Sequence, residues 1–178
     1  MKSARSSIVI RPMILDDLLD AQALQRDAYA PFLLEDARAF SSRITHESSY
    51  CLIAICGKKL VAYLLAHGWR PKSPPRLGEM LSPTGEAEVL FIHDLAVAPP
   101  ARGSGVGRRL IAQVLASAAR DGLRSAELIA VSGAAPYWKK LGFTQVQVSP
   151  ELRAKIALYG VDACLMERPL DQDDIDGV

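Results

Sequence analysis

The sequence predicts one α/β domain of the α+β type, a mixed central sheet of about six to seven strands with helices on both faces. Two observations lead to this fold class. Short apolar runs typical of strands alternate along the chain with longer segments whose apolar residues recur at helical spacing. The chain of 178 residues is 49% hydrophobic and 23% charged, a globular composition with enough residues for a substantial core.

The first third of the chain predicts one strand and two helices. Ile8–Arg11 is a short apolar strand, and apolar residues then recur at helical spacing until Pro31 ends the helix. A second, less regular helix is expected over 35–45. Beyond it, the apolar runs 50–56 and 59–69 are joined by a Gly-Lys pair, which indicates a hairpin.

A loop with four prolines covers residues 70–85, and loops of this length in compact domains are often functional. After it, strands and helices alternate. The predicted segments are a strand at 88–97, a helix at 105–122, a strand at 125–131, a helix at 134–141 and strands at 143–148 and 163–167. We therefore expect a single domain over 1–170 and a frayed acidic tail over 171–178.

Charge and cysteine content limit the class of protein. The formal net charge is +1, which argues against a general nucleic-acid or membrane binder. The longest apolar runs are too short to span a bilayer, and residues 1–7 are too polar for a secretory signal. The three cysteines lie in apolar surroundings and are expected to be reduced, which indicates a cytoplasmic protein. No histidine, cysteine and carboxylate residues recur at metal-ligand spacing, so no metal is expected.

The most informative segment is a glycine-rich turn between a strand and a helix. The apolar run that ends at Ala98 meets two prolines, and three glycines alternate over 103–107 before a helical pattern begins. Glycine lets the backbone approach a ligand closely, and the first amides of a helix attract anions. Arg102, Arg108 and Arg109 add positive charge with a geometry that suits phosphate. The turn therefore predicts a phosphate site, although it lacks the Gly-Lys-Ser/Thr of a Walker loop and the spacing of a dinucleotide fingerprint.

Two motifs connect the chain to a known family. Arg-Gly-x-Gly-x-Gly after Leu-x-Val-x-Pro resembles the acyl-coenzyme A turn of the GNAT superfamily of N-acetyltransferases. The segment Tyr137-Trp138-Lys139-Lys140-Leu141-Gly142-Phe143 resembles the family's second signature, an aromatic pair followed by x-x-x-Gly-Phe. The order of elements is also similar from about residue 8 to 170. The resemblance implies a GNAT fold and an acetyl-CoA-dependent N-acetyltransferase without a metal.

The resemblance also implies which residues hold coenzyme A. The main chain of Leu95, Ala96 and Val97 would bind the pantetheine arm as an added strand, and an amide there would polarise the acetyl carbonyl. Trp138 would pack on the arm or shape the acyl pocket. The pyrophosphate would lie on the amides of the turn, with these residues around it: Arg102, Gly103, Ser104, Gly105, Val106, Gly107 and Arg108.

His93 is the candidate general base. The run His93-Asp94-Leu95-Ala96-Val97 is similar to the His-x-Leu-Ala-Val of arylalkylamine N-acetyltransferases, in which this histidine helps deprotonate the amine through water. An unperturbed imidazole, with a pKa near 6.5, suits proton transfer near neutral pH. Strand alternation predicts His93 on one face with Phe91 and Leu95, and Asp94 on the other. A partly buried histidine with one satisfied hydrogen bond remains the alternative.

The candidate acid departs from the family pattern. Many members have a tyrosine that protonates the departing thiolate, and in register with Gly142 that position is Trp138, whose indole is no acid at ordinary pH. Tyr137 is the alternative acid, but it lies about 100° round the helix and is expected to pack into the core. Without an acid, a thiolate with a pKa near 8.5 is still a tolerable leaving group.

The leading hypothesis is acetyl transfer to a small primary amine by direct attack on the thioester. Two alternatives stay open: a protein lysine or N-terminal acetyltransferase, and a weakly catalytic acyl-CoA-binding module. The expected partners are a small-molecule amine and coenzyme A, with no nucleic acid or membrane. Members of the family are often dimers, so the resemblance also leaves a homodimer open.

Overall fold

The computed structural model describes residues 7–176, and the predictions for the polar start of the chain and the last two residues lie outside them. The strands of the described part are β1 (Ile8–Pro12), β2 (Leu52–Cys56), β3 (Lys59–Trp69), β4 (Val89–Val97), β5 (Ser125–Ala130), β6 (Thr144–Gln145) and β7 (Cys164–Pro169). Its helices are α1 (Leu18–Ala28), α2 (Ala37–Ile44), α3 (Val106–Arg120), α4 (Ala135–Lys139), α5 (Pro150–Ile156) and α6 (Gln172–Asp176).

The strands form one sheet in the order β1-β2-β3-β4-β5-β7-β6. Strands β4 and β5 pair in parallel, and the other neighbouring pairs are antiparallel. This is the mixed α/β sheet that the sequence predicts. No helix of the described chain is both long and apolar enough to cross a membrane.

Each face of the sheet has its own apolar core. On one face, α3 buries Leu110, Ile111, Val114 and Leu115 at helical spacing against alternate side chains of β3 and β4. On the other face, Phe40 of α2 and residues of α1 pack against the intervening side chains of the same strands. The two layers hold the central strands rigidly from both sides.

A β-bulge interrupts β4 in the middle of the sheet. Leu65 of β3 pairs with Asp94 and Ala66 pairs with Ile92, so His93 is an extra residue on β4. The parallel pairing of β4 with β5 ends at Ile92 and Leu128, although β4 continues to Val97. Beyond the bulge, one edge of β4 therefore borders a gap in the sheet.

The C-terminal part differs from the prediction in three places. Helix α5 was not expected, although its start carries the Ser149-Pro150 signal of a capped helix, and the Ser149 hydroxyl accepts from the Leu152 amide at 3.3 Å. The strand expected over 143–148 is only Thr144–Gln145. The prediction of a frayed tail is wrong for 172–176, because α6 packs beside α3 and Arg168 binds Asp174 at 2.6 Å.

Candidate active site

The glycine-rich turn has the backbone that the phosphate prediction requires. Gly103 and Gly105 have φ angles of +76° and +83°, in the left-handed region that favours glycine. An added Cβ at either position would meet no atom within 4 Å, so the backbone conformation and not crowding calls for glycine. Gly105 is the N-cap of α3, whose first amides lie at the positive end of the helix dipole. The turn therefore has the backbone features expected of an anion site.

A groove with a volume of about 620 Å³ lies under this turn, and we call it the coenzyme groove. Most of the predicted coenzyme A residues line it: Leu95, Ala96, Val97, Arg102, Gly103, Gly105, Val106, Gly107 and Arg108. Two do not. Ser104 turns its hydroxyl back to the carbonyl of Ala101 at 2.6 Å, and Trp138 lies elsewhere.

The open edge of β4 forms one wall of the coenzyme groove. The Ala98 amide donates to the carbonyl of Val61 at 2.8 Å, so alternation turns the backbone of Leu95 and Val97 away from β3. Two side chains bind the backbone carbonyls on this edge of β4. The Tyr29 hydroxyl donates to Leu95 O at 2.8 Å, and Arg102 Nε donates to Val97 O at 3.2 Å. The Leu95 and Val97 amides thus face the gap, where an extended ligand could add as a strand.

A second cavity, of about 270 Å³, adjoins the groove; we call it the acceptor pocket. The two share Ala28, Tyr29, Leu95 and Tyr137, so these residues mark the junction between them. Its wall is mostly apolar and aromatic. Within the described chain its acidic and basic side chains are Glu35, Asp94 and His93, with no lysine or arginine in the lining.

His93 lies in the wall of the acceptor pocket and is bound to Glu35. Its Nε2 is 2.8 Å from Glu35 Oε2, and the two side chains are 4% and 1% exposed. The other carboxylate oxygen, Oε1, accepts from Arg43 Nη2 at 2.7 Å and from the Gly78 amide at 2.8 Å. Arg43 itself is fully buried. A hydrogen-bonded chain Arg43–Glu35–His93 therefore runs from α2 into the pocket.

The two carboxyl groups beside His93 have opposite tendencies. Burial raises the pKa of Glu35, but the charges and hydrogen bonds of His93 and Arg43, with the Gly78 amide, outweigh it and leave the pKa below its ordinary value. Burial also raises the pKa of Asp94, and there it prevails over the hydrogen bonds of Tyr29, Tyr63 and Gln25 and the electrostatic influence of His93. Glu35 is thus held as a carboxylate, whereas Asp94 resists ionisation.

The predicted placement of Asp94 is wrong. Its Oδ2 accepts from the Tyr63 hydroxyl at 2.5 Å and from Gln25 at 3.1 Å, on the α1 side of the sheet that also holds the His93–Glu35 pair. Leu95 packs with the α3-side core instead. The bulge at His93 explains both errors, because one extra residue reverses the alternation that follows it.

The aromatic pair of α4 also differs from the expectation. Tyr137 does not pack into the core: it is 37% exposed, and its hydroxyl lies 3.3 Å from where a Cβ on Gly107 would be. Trp138 is 8% exposed and packs edge-on against Phe143, with ring centroids 5.4 Å apart. Trp138 borders the acceptor pocket and Tyr137 borders both cavities. Partial burial raises the pKa of Tyr137, opposed by Arg108.

The proline-rich loop is fastened over the acceptor pocket. Leu77 lines the pocket, and the Tyr159 hydroxyl donates to the carbonyl of Pro75 at 2.7 Å. Further along, the Thr84 amide donates to Glu47 at 3.0 Å. The sequence marks the loop but contains no signal for Glu35, Arg43 or Tyr159, which meet only in the folded chain.

Comparison with known proteins identifies the family. A model of the Acetyltransferase (GNAT) family matches residues 16–143, well over half of the chain. The chain belongs to this family. GNAT proteins are N-acetyltransferases that use acetyl-CoA, and so is this enzyme. No cluster of three or more possible metal ligands occurs in the described residues.

Solved structures show the same fold at low sequence identity. The ribosomal-protein-S18-alanine N-acetyltransferase from Escherichia coli aligns with a TM-score of 0.69 at 16% identity, over 93% of this chain and 96% of its own. The loading GNATL domain of CurA from Lyngbya majuscula gives 0.74 at 15%, over 92% and 98%. The PaiA N-acetyltransferase from Thermoplasma acidophilum, in complex with coenzyme A, gives 0.67 at 13%, over 92% and 99%. No curated protein matches this chain by sequence.

Proposed function

We propose that this GNAT enzyme acetylates a small primary amine that carries no carboxylate group. The observation behind the proposal is the acceptor pocket, a small cavity lined by Glu35, Asp94 and His93 that adjoins the coenzyme groove at Leu95. The proposal concerns both the size and the charge of the acceptor.

Pocket size favours a small molecule over a peptide. A volume of about 270 Å³ is just below the usual range of ligand pockets, roughly 300–1,000 Å³. The proline-rich loop contributes Leu77 to the wall and is held in place by Tyr159, which leaves less room for an extended peptide. A compact alkylamine or arylalkylamine suits the apolar and aromatic lining.

Pocket charge favours an acceptor without an acidic group. Glu35 and Asp94 line the pocket. Arg43 balances the charge of Glu35 through an ion pair but does not itself line the pocket. A carboxylate on the acceptor would find no arginine or lysine to pair with among the lining residues of the described chain, and it would lie beside the ionised Glu35. An amine should therefore be preferred to the amino acid with the same side chain.

The chain's own residues would divide the chemistry between them. Acetyl-CoA supplies the acetyl group as a thioester. Holding amine and acetyl group in line can contribute about 7–11 kcal/mol to lowering the barrier. The Leu95 amide faces the gap and would polarise the carbonyl, and His93 would take the amine proton, directly or through one water. As the amine nitrogen bonds to the acetyl carbon and the C–S bond breaks, the Tyr137 hydroxyl at the junction would give its proton to the thiolate.

A thiol-release assay with matched acceptors tests the proposal. Phenethylamine is compared with phenylalanine, tyramine with tyrosine, and both pairs with a lysine peptide and a peptide with a free N-terminus. We expect turnover with the amines and little with the amino acids or peptides. A preference for either peptide or for the amino acids would overturn the acceptor class, and tight acetyl-CoA binding without any turnover would point to a binding module.

A further inference from the structure

We propose that Glu35 is a positioning residue that holds His93 in the tautomer with its Nδ1 lone pair free, and that Arg43 balances the charge of Glu35. The inference rests on the proposed role of His93 as base. Neither motif of the family contains Glu35 or Arg43, so the assignment comes from the contacts alone.

The tautomer follows from the hydrogen bonds of Glu35. An ionised carboxylate only accepts hydrogen bonds, and all three groups around this one are donors: Arg43, the Gly78 amide and the ring of His93. His93 Nε2 must therefore carry its hydrogen. In the neutral ring the lone pair is then on Nδ1, the nitrogen that is left to receive a proton from an amine in the pocket.

The groups that face His93 come from β4 itself and from three other parts of the chain. Two of them are ionisable side chains, Arg43 of α2 and Asp94 of β4. Tyr159, in the segment after α5, lines the same pocket. His67 of β3 has its ring centroid 6.4 Å from that of His93, and burial lowers its pKa well below the ordinary value, so it stays neutral. Glu35 is the partner in direct contact with the ring, and it alone specifies which nitrogen is protonated.

The same carboxylate ties the base to the cover of the pocket. Glu35 accepts from Gly78, and Arg43 Nη1 donates to the carbonyl of Glu79, the next residue of the loop, at 3.1 Å. Placement of the loop and orientation of His93 are thus set by one ion pair. Removing its charge should disturb the base more than the coenzyme groove, which lies on the other side of Leu95.

The wild-type protein provides the first test without any variant. Long-range proton–nitrogen NMR distinguishes the two neutral tautomers of each imidazole, and the chain has three histidines, so loss of one signal in His93→Gln assigns it. We expect the Nε2–H tautomer for His93. An Nδ1–H tautomer would overturn the inference whether or not the enzyme acetylates amines.

The second test is Glu35→Gln. The glutamine oxygen would be retained by Arg43 and Gly78, which turns the NH₂ group towards Nε2 and should invert the tautomer. We expect kcat to fall about 10²-fold with KM for acetyl-CoA unchanged, and the acidic limb of the pH–rate profile to move. Glu35→Asp keeps the charge and should restore part of the activity.

Glu47→Gln is the matched control. Glu47 also accepts hydrogen bonds from loop amides, those of Thr84 and Gly85, but it does not line the acceptor pocket. Its tautomer signal and pH profile should equal those of the wild type. If both glutamine variants lose activity equally with an unchanged His93 tautomer, Glu35 merely supports the loop and the inference fails. Failure of the proposed function would instead be seen as no turnover in the wild type.

Discussion

The coenzyme groove and the acceptor pocket adjoin at Tyr29 and Leu95, yet they are built in different ways. The groove comes mainly from one continuous stretch, from β4 through the glycine-rich turn into α3. The pocket draws on α1, the segment before α2, the proline-rich loop, β4, β5 and α4. A contiguous site can be recognised from spacing, whereas an assembled site depends on which elements meet.

The groove also works mostly with backbone groups, and the pocket with side chains. Amides at the start of α3 and along β4 are present whatever the side chains are, provided that Gly103 and Gly105 allow the turn. The proposed proton transfer in the pocket would need the particular side chains His93 and Glu35, which are in contact. Substitutions in the two regions should therefore separate binding of acetyl-CoA from turnover.

The largest expected effect is that of His93→Gln. Loss of the base should lower kcat by about 10²–10⁴-fold at neutral pH, since general-base catalysis contributes this much. Affinity for acetyl-CoA should be unchanged, because His93 does not line the coenzyme groove. Steady-state kinetics and calorimetric titration with acetyl-CoA measure the two quantities. Wild-type turnover in the variant would assign His93 to a structural role.

Arg108→Ala should instead weaken the binding of acetyl-CoA and leave kcat nearly unchanged. Arg108 lines the groove in the first turn of α3, and a charge-assisted hydrogen bond to a phosphate contributes about 1.5–3 kcal/mol. We expect acetyl-CoA to bind roughly 10–100-fold more weakly, with kcat at saturation nearly unchanged. Arg109→Ala is the control, because Arg109 reaches the carbonyl of Ile8 at 3.4 Å and not the groove. Equal effects from both would mean that only the overall charge of the helix start matters.

Tyr137→Phe should have a smaller effect that depends on pH. Without the hydroxyl the thiolate must leave unassisted, so kcat should fall several-fold below the thiol pKa of about 8.5 and recover above it. Trp138→Phe is the neighbouring control: it should lower stability by about 1–3 kcal/mol without changing the shape of the pH profile. Identical profiles for Tyr137→Phe and the wild type would remove Tyr137 as the acid.

The smallest effects concern the pH dependence of stability. The pKa of Glu35 is lowered on folding, so its stabilisation is present at neutral pH and is lost as the pH falls through the ordinary carboxyl range. The difference in free energy of unfolding between the wild type and Glu35→Gln should therefore become smaller at acid pH. The pKa of Asp94 is raised, so ionisation of Asp94 lowers the stability of the folded protein as the pH rises above the ordinary carboxyl value. The stability of Asp94→Asn relative to the wild type should therefore increase as the pH rises. Urea unfolding between about pH 3 and 7, which extends below the ordinary carboxyl pKa, measures both slopes, and parallel slopes would contradict the opposite pKa shifts.

Local patterns predicted most of the fold. The strand, the two prolines, the glycine-rich turn and the helix follow one another in the chain, and the structure has them in that order from Val89 to Arg120. The expectations for α3 and β5 came close because their apolar residues recur at clear periods. Helix α6 was missed because its short acidic segment gains order from packing beside α3 and from Arg168, partners distant in sequence or outside the helix pattern.

The candidate site was predicted less completely than the fold. His93 could be named from its place beside Leu95, but the bulge that turns Asp94 to the same side has no signal in the sequence. Trp138 is buried against Phe143 and Tyr137 lies beside Gly107, the reverse of the expected placement. This outcome depends on how α4 is rotated about its axis, which register alone does not specify. Glu35 became part of the site only through its contact with His93.

The sequence by itself determined the mixed α/β class, the family and the turn for the coenzyme, because periodicity, φ-permissive glycines and helix starts act over a few neighbouring residues. Tertiary structure decided the acceptor pocket. The separation of β4 from β5 after Ile92, the fastened loop and the Arg43–Glu35–His93 chain each join residues far apart in sequence. The partners of the two buried carboxyl groups then set which one is ionised, since the free energy of a charge depends on the groups that surround it in space.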